Sequence, residues 1–398
     1  MKILNVGHNY HVAGGSDRVL IETGELLKSK GHHVIPFCAQ SDKNLSTEYD
    51  VFFPKSIDFS SVKFTSLLSY FYNFSAKHNI NELLAGEVPD LAHLHIYYGR
   101  LTTSILHEIK KRNIPIIQSL HEYKLVCPVY TMERNGTVCN KCTSGRNYHC
   151  VINKCKNDSY LHSSIMALES YFSRAMGDVR YVDLFLSVSE FHRNEMVRAG
   201  IPENKVKVLH NFVDTEKYSA KCGHDGYFLY FGRIEKLKGI DTLIEAFSLV
   251  DFKLLIVGDG SYKNNMLEKI ESISNIEYLG FREGQELIDI VSKSLCVVVP
   301  SEWNENCPMN VLEAKSLSRP VIGSNIGGIP ELINHNVDGV IFEPGNVSQL
   351  VNALFKVNDL FDTMSYSARL DAVDRFSKEA YYLKLMSFYE MILRRKKQ

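Results

Sequence analysis

Short β-branched runs alternate with amphipathic segments along the chain, and this alternation restricts the fold more than any other feature of the sequence. In the first half, strands are predicted at residues 3–6, 34–37, 91–95, 114–119 and 184–188. The clearest helix between them spans residues 16–30 and ends at Gly31. Strands that alternate with helices are typical of βαβ units, which build parallel sheets.

The same pattern restarts after a polar segment, rich in Lys, Gly, His and Asp, that follows a strand at residues 206–211. New strands are predicted beyond it, at residues 227–231, 254–258, 276–279, 295–300, 320–323 and 340–342. We therefore predict two doubly wound, Rossmann-like α/β domains, residues 1–210 and 211–376, and a helix over residues 377–398 that packs back on the first domain. Ligands bind outside the carboxyl ends of such strands, so we expect a central cleft between the domains.

The charge balance and the apolar content exclude several classes of protein. The 45 basic and 46 acidic residues leave a formal net charge of −1, so the chain lacks the positive field that would hold nucleic acid. No apolar run reaches about 18 residues, which predicts no membrane-spanning helix. The first residues indicate a strand rather than a signal peptide, and we expect a cytoplasmic protein. The basic residues 394–397 fit either a solvated helix end or a peripheral contact with anionic lipid at the inner face of the membrane.

Two cations follow the first strand of the second half. Gly232 ends that strand, and Arg233 and Lys238 lie five positions apart in the segment before the next helix. A guanidinium and an ammonium aimed at a diphosphate stabilise the charge that grows there when the diphosphate departs. The alternative is a solvated basic loop.

Two carboxylates lie beyond the strand at residues 295–300. Glu305 falls in a loop, and Glu313 falls in a helix whose first turn suits Pro308. Such carboxylates accept hydrogen bonds from sugar or ribose hydroxyls, and the helix N-terminus between them offers N–H groups to phosphate. The alternative is an ordinary helix charge together with a solvated one.

Two elements of the first half are also placed at the carboxyl edge of a sheet. Gly14 and Gly15 lie between the first strand and the first helix, where they permit close approach of a phosphate or a hydroxyl, or only tight packing of strand and helix. His121 follows the strand at residues 114–119, where an imidazole can donate or accept a proton near neutral pH. His95 has a similar position, and a packed core histidine is an equal interpretation.

In combination, these motifs resemble those of glycosyltransferase family 4, a retaining family with the two-domain GT-B fold, over nearly the whole chain. The resemblance implies that Glu313 binds the ribose of the donor and that Glu305 binds the transferred sugar. It also implies that Arg233 and Lys238 clamp the diphosphate and that His121 lies beside the reacting centre.

The resemblance further implies an N-terminal acceptor domain and a C-terminal donor domain. Gly14 and Gly15 would then face the cleft on the acceptor and phosphate side. Additional donor-binding residues are expected at Cys307, Pro308, Met309, Asn310, Val311 and Arg282.

The reaction implied by the resemblance is transfer of a sugar from a UDP-, GDP- or ADP-sugar to a glycan or lipid-linked acceptor, with retention. No cofactor is expected to be required for catalysis. Such enzymes build bacterial surface polysaccharides, including capsule and O-antigen. Two other functions stay open, a non-catalytic scaffold that binds sugar nucleotide and an NAD-type oxidoreductase, although the Gly-x-Gly-x-x-Gly fingerprint of dinucleotide binding is absent.

Five of the nine cysteines fall between residues 127 and 155, around a hairpin predicted at residues 134–137. A Cys-x2-Cys pair with two more thiols at short spacing can close tetrahedrally on a structural zinc ion. The four expected ligands are Cys139, Cys142, Cys150 and Cys155, which leaves Cys127 as a spare thiol. Reduced thiols in a mobile loop, or a disulfide, are the alternative.

Overall fold

The computed structural model describes residues 1–56, 64–217 and 223–397, and its strands fall on either side of the polar segment near residue 210. The strands before it are β1 (Lys2–Val6), β2 (His33–Phe37), β3 (Leu91–Leu94), β4 (Ile116–Leu120), β5 (Glu133–Arg134), β6 (Thr137–Val138), β7 (Leu184–Ser187) and β8 (Val206–Val208). The strands after it are β9 (Tyr227–Phe231), β10 (Lys253–Val257), β11 (Ile276–Gly280), β12 (Cys296–Val299), β13 (Val321–Ser324) and β14 (Gly339–Phe342).

Helices connect most of these strands, as the alternating pattern predicts. Those of the first half are α1 (Gly15–Ser29), α2 (Phe64–Phe71), α3 (Phe74–Gly86), α4 (Ser104–Lys111), α5 (Tyr148–Ile152), α6 (Tyr160–Met176) and α7 (Glu190–Arg198). Those of the second half are α8 (Ile240–Ser248), α9 (Lys263–Ile270), α10 (Gly284–Lys293), α11 (Met309–Ser316), α12 (Val347–Asp359), α13 (Phe361–Phe376) and α14 (Lys378–Lys397). None of the described helices is long and apolar enough to cross a membrane.

Two six-stranded sheets result, and every strand pairing within them is parallel. The first sheet has the order β2-β1-β3-β4-β7-β8, and the second has the order β11-β10-β9-β12-β13-β14. Parallel sheets are buried on both faces, which explains the nearly continuous β-branched runs of the sequence. The predicted pair of Rossmann-like sheets is confirmed, whereas the domain boundary at residues 210 and 211 stays a prediction.

Helix α14 covers one face of the first sheet. Its residues Tyr381, Leu385 and Tyr389 are buried in one apolar cluster with Ile3 and Leu91 of that sheet. The last segment of the chain therefore returns to the first half of the protein, and burial of these large side chains stabilises that contact.

Some element bounds differ from the sequence-based prediction. Strand β4 begins at Ile116 rather than at residue 114, because Pro115 has no N–H to give to a sheet. Strand β8 stops at Val208, and the chain then crosses to the second half. Pro308, expected in the first turn of its helix, occupies the N-cap position just outside α11, and the segment around Pro330 forms a 3-10 turn, Ile329–Leu332.

Candidate active site

The strand order of the second sheet brings the predicted diphosphate and carboxylate segments to one crevice. The chain proceeds outward from β9 in both directions, and a ligand crevice opens between such neighbouring strands at their carboxyl ends. Gly232 follows β9 directly, and the loop that leads to Glu305 follows β12. Both segments therefore lie at the edge of the sheet where a ligand is expected.

Lys238 and Glu305 form an ion pair at this crevice. Lys238 Nζ contacts Glu305 Oε1, and the two side chains are only 17% and 11% exposed. The ammonium also lies 5.0 Å from the centre of the Trp303 ring, which adds a cation–π contact. The pair holds both side chains in place, and a bound diphosphate would compete with Glu305 for the ammonium.

Arg233 is the cation without a protein counterion at this crevice. Its side chain is exposed and makes no hydrogen bond or ion pair with the residues that the structure describes. Its backbone carbonyl accepts a hydrogen bond from Tyr230 Oη at 2.6 Å, which holds the loop against the strand. The guanidinium is therefore available to an anionic ligand.

Glu313 is paired with a residue of the first half of the chain. Its Oε1 accepts a hydrogen bond from Arg18 Nη1 at 2.8 Å, and Arg18 Nε is 2.8 Å from Glu22 Oε1. Burial raises the pKa of Glu313, and the neighbouring Arg18 opposes that rise. The pair lies at a cleft of about 460 Å³ between α1 and α10, which Phe231 and Glu283 also line.

His121 is partly buried and packs against two buried imidazoles. Its Nε2 lies 2.9 Å from Nδ1 of His95, and the two rings stack at 5.1 Å. His95 in turn stacks on His93, whose Nδ1 is 2.7 Å from the hydroxyl of Tyr389 in α14. Burial lowers the pKa of His121 to about 4, so the ring is neutral at pH 7. His95 is thus a packed histidine, as one of its two interpretations expected.

Three hydrogen bonds join the loop around Glu305 to the loop around His121. They run from Tyr123 Oη to the Asn304 carbonyl at 3.0 Å, from Trp303 Nε1 to the Thr131 carbonyl at 2.7 Å, and from Asn306 Nδ2 to the His121 carbonyl at 3.1 Å. The candidate residues of the two halves are therefore brought to one place by direct contacts between their loops.

Gly14 and Gly15 begin helix α1 without close neighbours. A Cβ built on either residue would meet no atom within 4 Å. Tight packing between strand and helix therefore does not explain these glycines, which leaves the open approach to their backbone as the physical account.

The segment from Cys307 to Val311 contains the start of α11. Asn310 Nδ2 donates to the Phe231 carbonyl at 3.2 Å, while its buried Oδ1 has no hydrogen-bond partner among the described atoms. Cys307 and Val311 are buried, whereas Pro308, Met309 and Asn310 are partly exposed. The exposed part of this segment adjoins the crevice.

Arg282 is engaged elsewhere. Its Nε pairs with Glu286 Oε1 at 2.7 Å, one helical turn along, and its Nη1 donates to the Phe281 carbonyl. Its neighbour Glu283, rather than Arg282, lines the cleft beside Glu313. The expected donor contact of Arg282 stays a prediction that the geometry does not support.

A turn that contains Gly327 and Gly328 packs against the backbone of Glu305. The N–H of Gly328 donates to the Glu305 carbonyl at 2.7 Å, and a Cβ on Gly327 would lie 2.3 Å from that same oxygen. Only glycine permits this approach, because such a contact is far inside van der Waals distance. The turn thus fixes the backbone position of Glu305.

A second cleft, of about 830 Å³, lies in the first half of the chain and is lined in part by Glu122, the residue after His121. Apolar side chains of α2, α6 and the loop after β3 form much of its wall, including Leu67, Ile96, Ile165 and Met166. Burial raises the pKa of the Glu122 carboxyl to about 7. The cleft offers apolar walls and an ionisable group next to the candidate reacting centre.

The five clustered cysteines converge in the structure. All of them line one cavity of about 10 Å³, at Cys127, Cys139, Cys142, Cys150 and Cys155. The hairpin predicted among them is confirmed as β5 and β6, with positive φ at Asn135 and Gly136. As the described His, Cys, Asp and Glu side chains stand, no three of them are set to hold a metal ion.

Some residues of the site carry no local sequence signal. Arg18 and Glu313 are 295 positions apart, and nothing in the spacing of either indicates the other. Trp303 and Tyr123 likewise become partners of the opposite loop only through the fold. The only sequence signal for these two contacts is that an aromatic residue lies close to Glu305 and another close to His121.

Comparison with known families assigns both halves of the chain. The family model described as Glycosyltransferase Family 4 matches residues 13–217, and the model described as Glycosyl transferases group 1 matches residues 214–362. The first model alone covers more than half of the 398 residues.

Individual proteins agree with these matches. The N-acetyl-alpha-D-glucosaminyl L-malate synthase of Bacillus anthracis is 26% identical over 231 residues, which are 53% of this chain and 59% of that protein. The chain spans about half the length of the curated relatives that it matches.

Solved structures share the fold over nearly the whole chain. A glycosyltransferase from Rickettsia africae ESF-5 superposes with a TM-score of 0.70 at 19% identity, covering 98% of each chain. Anabaena Alr3699/HepE, solved in complex with UDP, superposes with a TM-score of 0.63 at 16% identity, covering 98% of this chain and all of that one. At such low identity the likeness establishes the two-domain fold alone.

Proposed function

Because the chain belongs to glycosyltransferase family 4, we propose that it transfers a sugar from a nucleotide-diphosphate-sugar donor to a glycan or lipid-linked acceptor, with retention. The observation that carries the proposal is the ion pair of Lys238 with Glu305, in which Lys238 belongs to the same segment after β9 as Arg233, whose guanidinium has no partner among the described residues. Glu313 lies at the cleft that Phe231 of β9 also lines, and its pair with Arg18 joins the two halves of the chain.

The donor is assigned to the crevice of the second sheet. Arg233 and Lys238 bind its diphosphate, since one is free and the other is held by a single carboxylate that a diphosphate can replace. Glu313 binds the ribose hydroxyls beside the 460 Å³ cleft, where the base enters. The UDP found in the Anabaena structure supports a nucleoside diphosphate as the ligand, without fixing the base for this chain.

The chemical step breaks the bond between the anomeric carbon and the diphosphate oxygen. Arg233 and Lys238 stabilise the negative charge that grows on the departing diphosphate. The acceptor oxygen bonds to the anomeric carbon on the face that the diphosphate leaves, and its proton passes to the departing phosphate oxygen. Glu305, once separated from Lys238, accepts hydrogen bonds from the sugar, and the neutral His121 lies on the opposite wall.

The acceptor is assigned to the 830 Å³ cleft of the first half. Its apolar walls suit the lipid portion of a lipid-linked acceptor, and it reaches Glu122 and therefore the neighbourhood of His121. We place this reaction in bacterial surface polysaccharide synthesis, in the cytoplasm, with peripheral contact at the inner face of the membrane through the basic end of α14. The amylovoran biosynthesis glycosyltransferase of Erwinia amylovora is one relative that supports this setting.

A donor screen tests the proposal. Purified protein is incubated with UDP-, GDP- and ADP-sugars, and the released nucleoside diphosphate is quantified with and without lipid-linked acceptors. Release from one class of donor is expected. No release above the protein-free rate, together with saturable binding of NADH, would favour the oxidoreductase alternative instead.

Retention requires its own measurement. The anomeric configuration of the product, read from proton coupling constants before mutarotation, is expected to equal that of the donor. An inverted product would reject retention while leaving the transferase assignment intact.

A further inference from the structure

We propose that the segment from Cys127 to Cys155 holds one structural zinc ion through the thiolates of Cys127, Cys139, Cys142 and Cys155. This goes beyond the proposed transferase function and differs from the set that spacing alone suggests, because Cys127 replaces Cys150. We call these four ligand residues the thiol cluster.

The four members of the thiol cluster are mutual neighbours. Cys142 interacts electrostatically with each of the other three, and Cys150 also interacts with Cys127, Cys142 and Cys155. All of them border the same cavity of about 10 Å³, close to the size of a single water molecule or metal ion. A tetrahedral zinc site needs four donors around one such point.

Cys127 is held at the cavity by backbone hydrogen bonds on both sides. Its N–H donates to the Tyr123 carbonyl at 2.7 Å, and its carbonyl accepts a hydrogen bond from the N–H of Tyr130 at 2.8 Å. Burial raises the pKa of its thiol and of the Cys142 thiol, so zinc binding must displace a proton from each.

Cys150 has the opposite surroundings. It is fully buried, and its Sγ donates a weak hydrogen bond to the Ser163 carbonyl at 3.8 Å. This hydrogen bond engages the S–H group of Cys150 with a carbonyl oxygen, whereas a zinc ligand has given up that proton. Its side chain also hydrogen-bonds to Cys155, which makes Cys150 a neighbour that orients a ligand rather than a ligand.

The charge of the segment complements such a site. Four thiolates around Zn²⁺ carry a net charge of −2, and residues 127–155 contain one carboxylate, Glu133, against four cations. Those cations are Arg134, Lys141, Arg146 and Lys154. The excess of positive side chains in the segment therefore offsets the negative charge of the site.

The backbone of the segment also requires a strong constraint. Of the eleven non-glycine residues with positive φ among the described residues, five lie here, at Tyr130, Met132, Asn135, Ser144 and Lys154. Regular structure is limited to two-residue strands and the five-residue helix α5. Such conformations persist only where the surroundings impose them, and metal binding supplies that free energy.

The sulfurs must still move to coordinate an ion. The side chains as they stand are not set for coordination. A change of one staggered rotamer moves a cysteine sulfur by about 3 Å, so four sulfurs that border one cavity can reach its centre without a new backbone path.

A metal in this segment would fix the position of the backbone carbonyl that binds Trp303. The turn that begins at Cys127 contains Thr131, whose carbonyl accepts the 2.7 Å hydrogen bond of the Trp303 indole. The same indole faces Lys238. A metal at the thiol cluster therefore holds the loop on which the lysine and glutamate pair rests.

Metal analysis of the full chain, purified under reducing conditions without chelator, tests the assignment with a matched pair of variants. We expect about one zinc per chain in wild type and in Cys150→Ser, and at least a tenfold lower content in Cys127→Ser. Because a ligand variant can fail to fold, wild-type protein reconstituted with Co²⁺ provides a second measurement. Its absorption should have the intensity of four thiolate ligands in tetrahedral geometry.

Three results would overturn the proposal. Wild-type protein free of metal, with its thiols reduced or joined in disulfides by peptide mapping, would remove the site. Loss of zinc from Cys150→Ser with retention in Cys127→Ser would assign the ion to the other set of four. A cobalt spectrum without four thiolates would reject the ligand set. None of these measurements depends on transferase activity.

Discussion

Replacement of Glu305 by alanine separates sugar transfer from nucleotide binding. Glu305 pairs with Lys238, and both side chains are largely buried. If Glu305 contacts the sugar in the transition state, its loss should lower kcat by about 10²- to 10³-fold, or roughly 3–4 kcal/mol. The affinity for the product nucleoside diphosphate should equal or exceed that of wild type, because Glu305 no longer competes with the diphosphate for Lys238.

The same substitution has a cost in stability. Breaking a fully buried ion pair costs roughly 3–5 kcal/mol. Here Lys238 retains some exposure and its contact with the Trp303 ring, so we expect on the order of 2 kcal/mol. Glu305→Gln preserves the shape and a hydrogen bond, and should lose turnover with a smaller change in the thermal midpoint.

The assay combines donor turnover, calorimetry with the nucleoside diphosphate and thermal melting. Glu302→Gln is the matched control, because this carboxylate lies in the same loop but accepts its hydrogen bond from Thr242 Oγ1 at 2.6 Å. Turnover of Glu305→Gln within about threefold of wild type would refute the role. Parallel loss of turnover and of nucleotide affinity would also count against it.

Three further substitutions address the remaining charged groups. Arg233→Ala should lower the affinity for the nucleoside diphosphate about tenfold or more while leaving the affinity for the monophosphate nearly unchanged. Replacement of the exposed Lys236 by alanine is the control in the same calorimetric titrations. Glu313→Gln should lower the affinity for the nucleoside diphosphate and the monophosphate alike, because Glu313 is assigned to the ribose that both contain. An effect on only one of the two affinities would contradict this assignment. Glu122→Gln should raise the thermal midpoint more at pH 8 than at pH 5. The pKa of Glu122 is about 7 in the folded protein and 4.5 ordinarily, so the free energy of unfolding of wild type falls by up to about 3 kcal/mol as the pH rises from 4.5 to 7. An equal gain at both pH values would reject this.

The parallel sheets could be predicted because their signal is local. β9 begins and ends where a run of aromatic residues and leucine does, and the Asn-Gly pair at residues 135–136 specifies its own hairpin. The crevice at β9 and β12 also follows from strand order, once two doubly wound halves are assumed.

The partners of the site residues could not be predicted, because they depend on packing between distant segments. The pair between Arg18 and Glu313 joins α1 to α11 across the two halves. Arg282, in contrast, has a local partner, because Glu286 four residues further along the chain engages its guanidinium. Spacing alone leaves Cys127 as the spare thiol, whereas the fold places it at the same cavity as the other four clustered cysteines.

One ligand, a nucleoside diphosphate, is expected to occupy the crevice between the two halves. Amide hydrogen exchange of wild-type protein, with and without the nucleoside diphosphate of its active donor, tests this directly. Protection is predicted in the loop containing Arg233, in the segment from Glu305 to Glu313 and at the start of α1, and much less with the monophosphate in the first of these. Saturating diphosphate that protects none of these segments, or protects only segments remote from them, would contradict this assignment of the crevice.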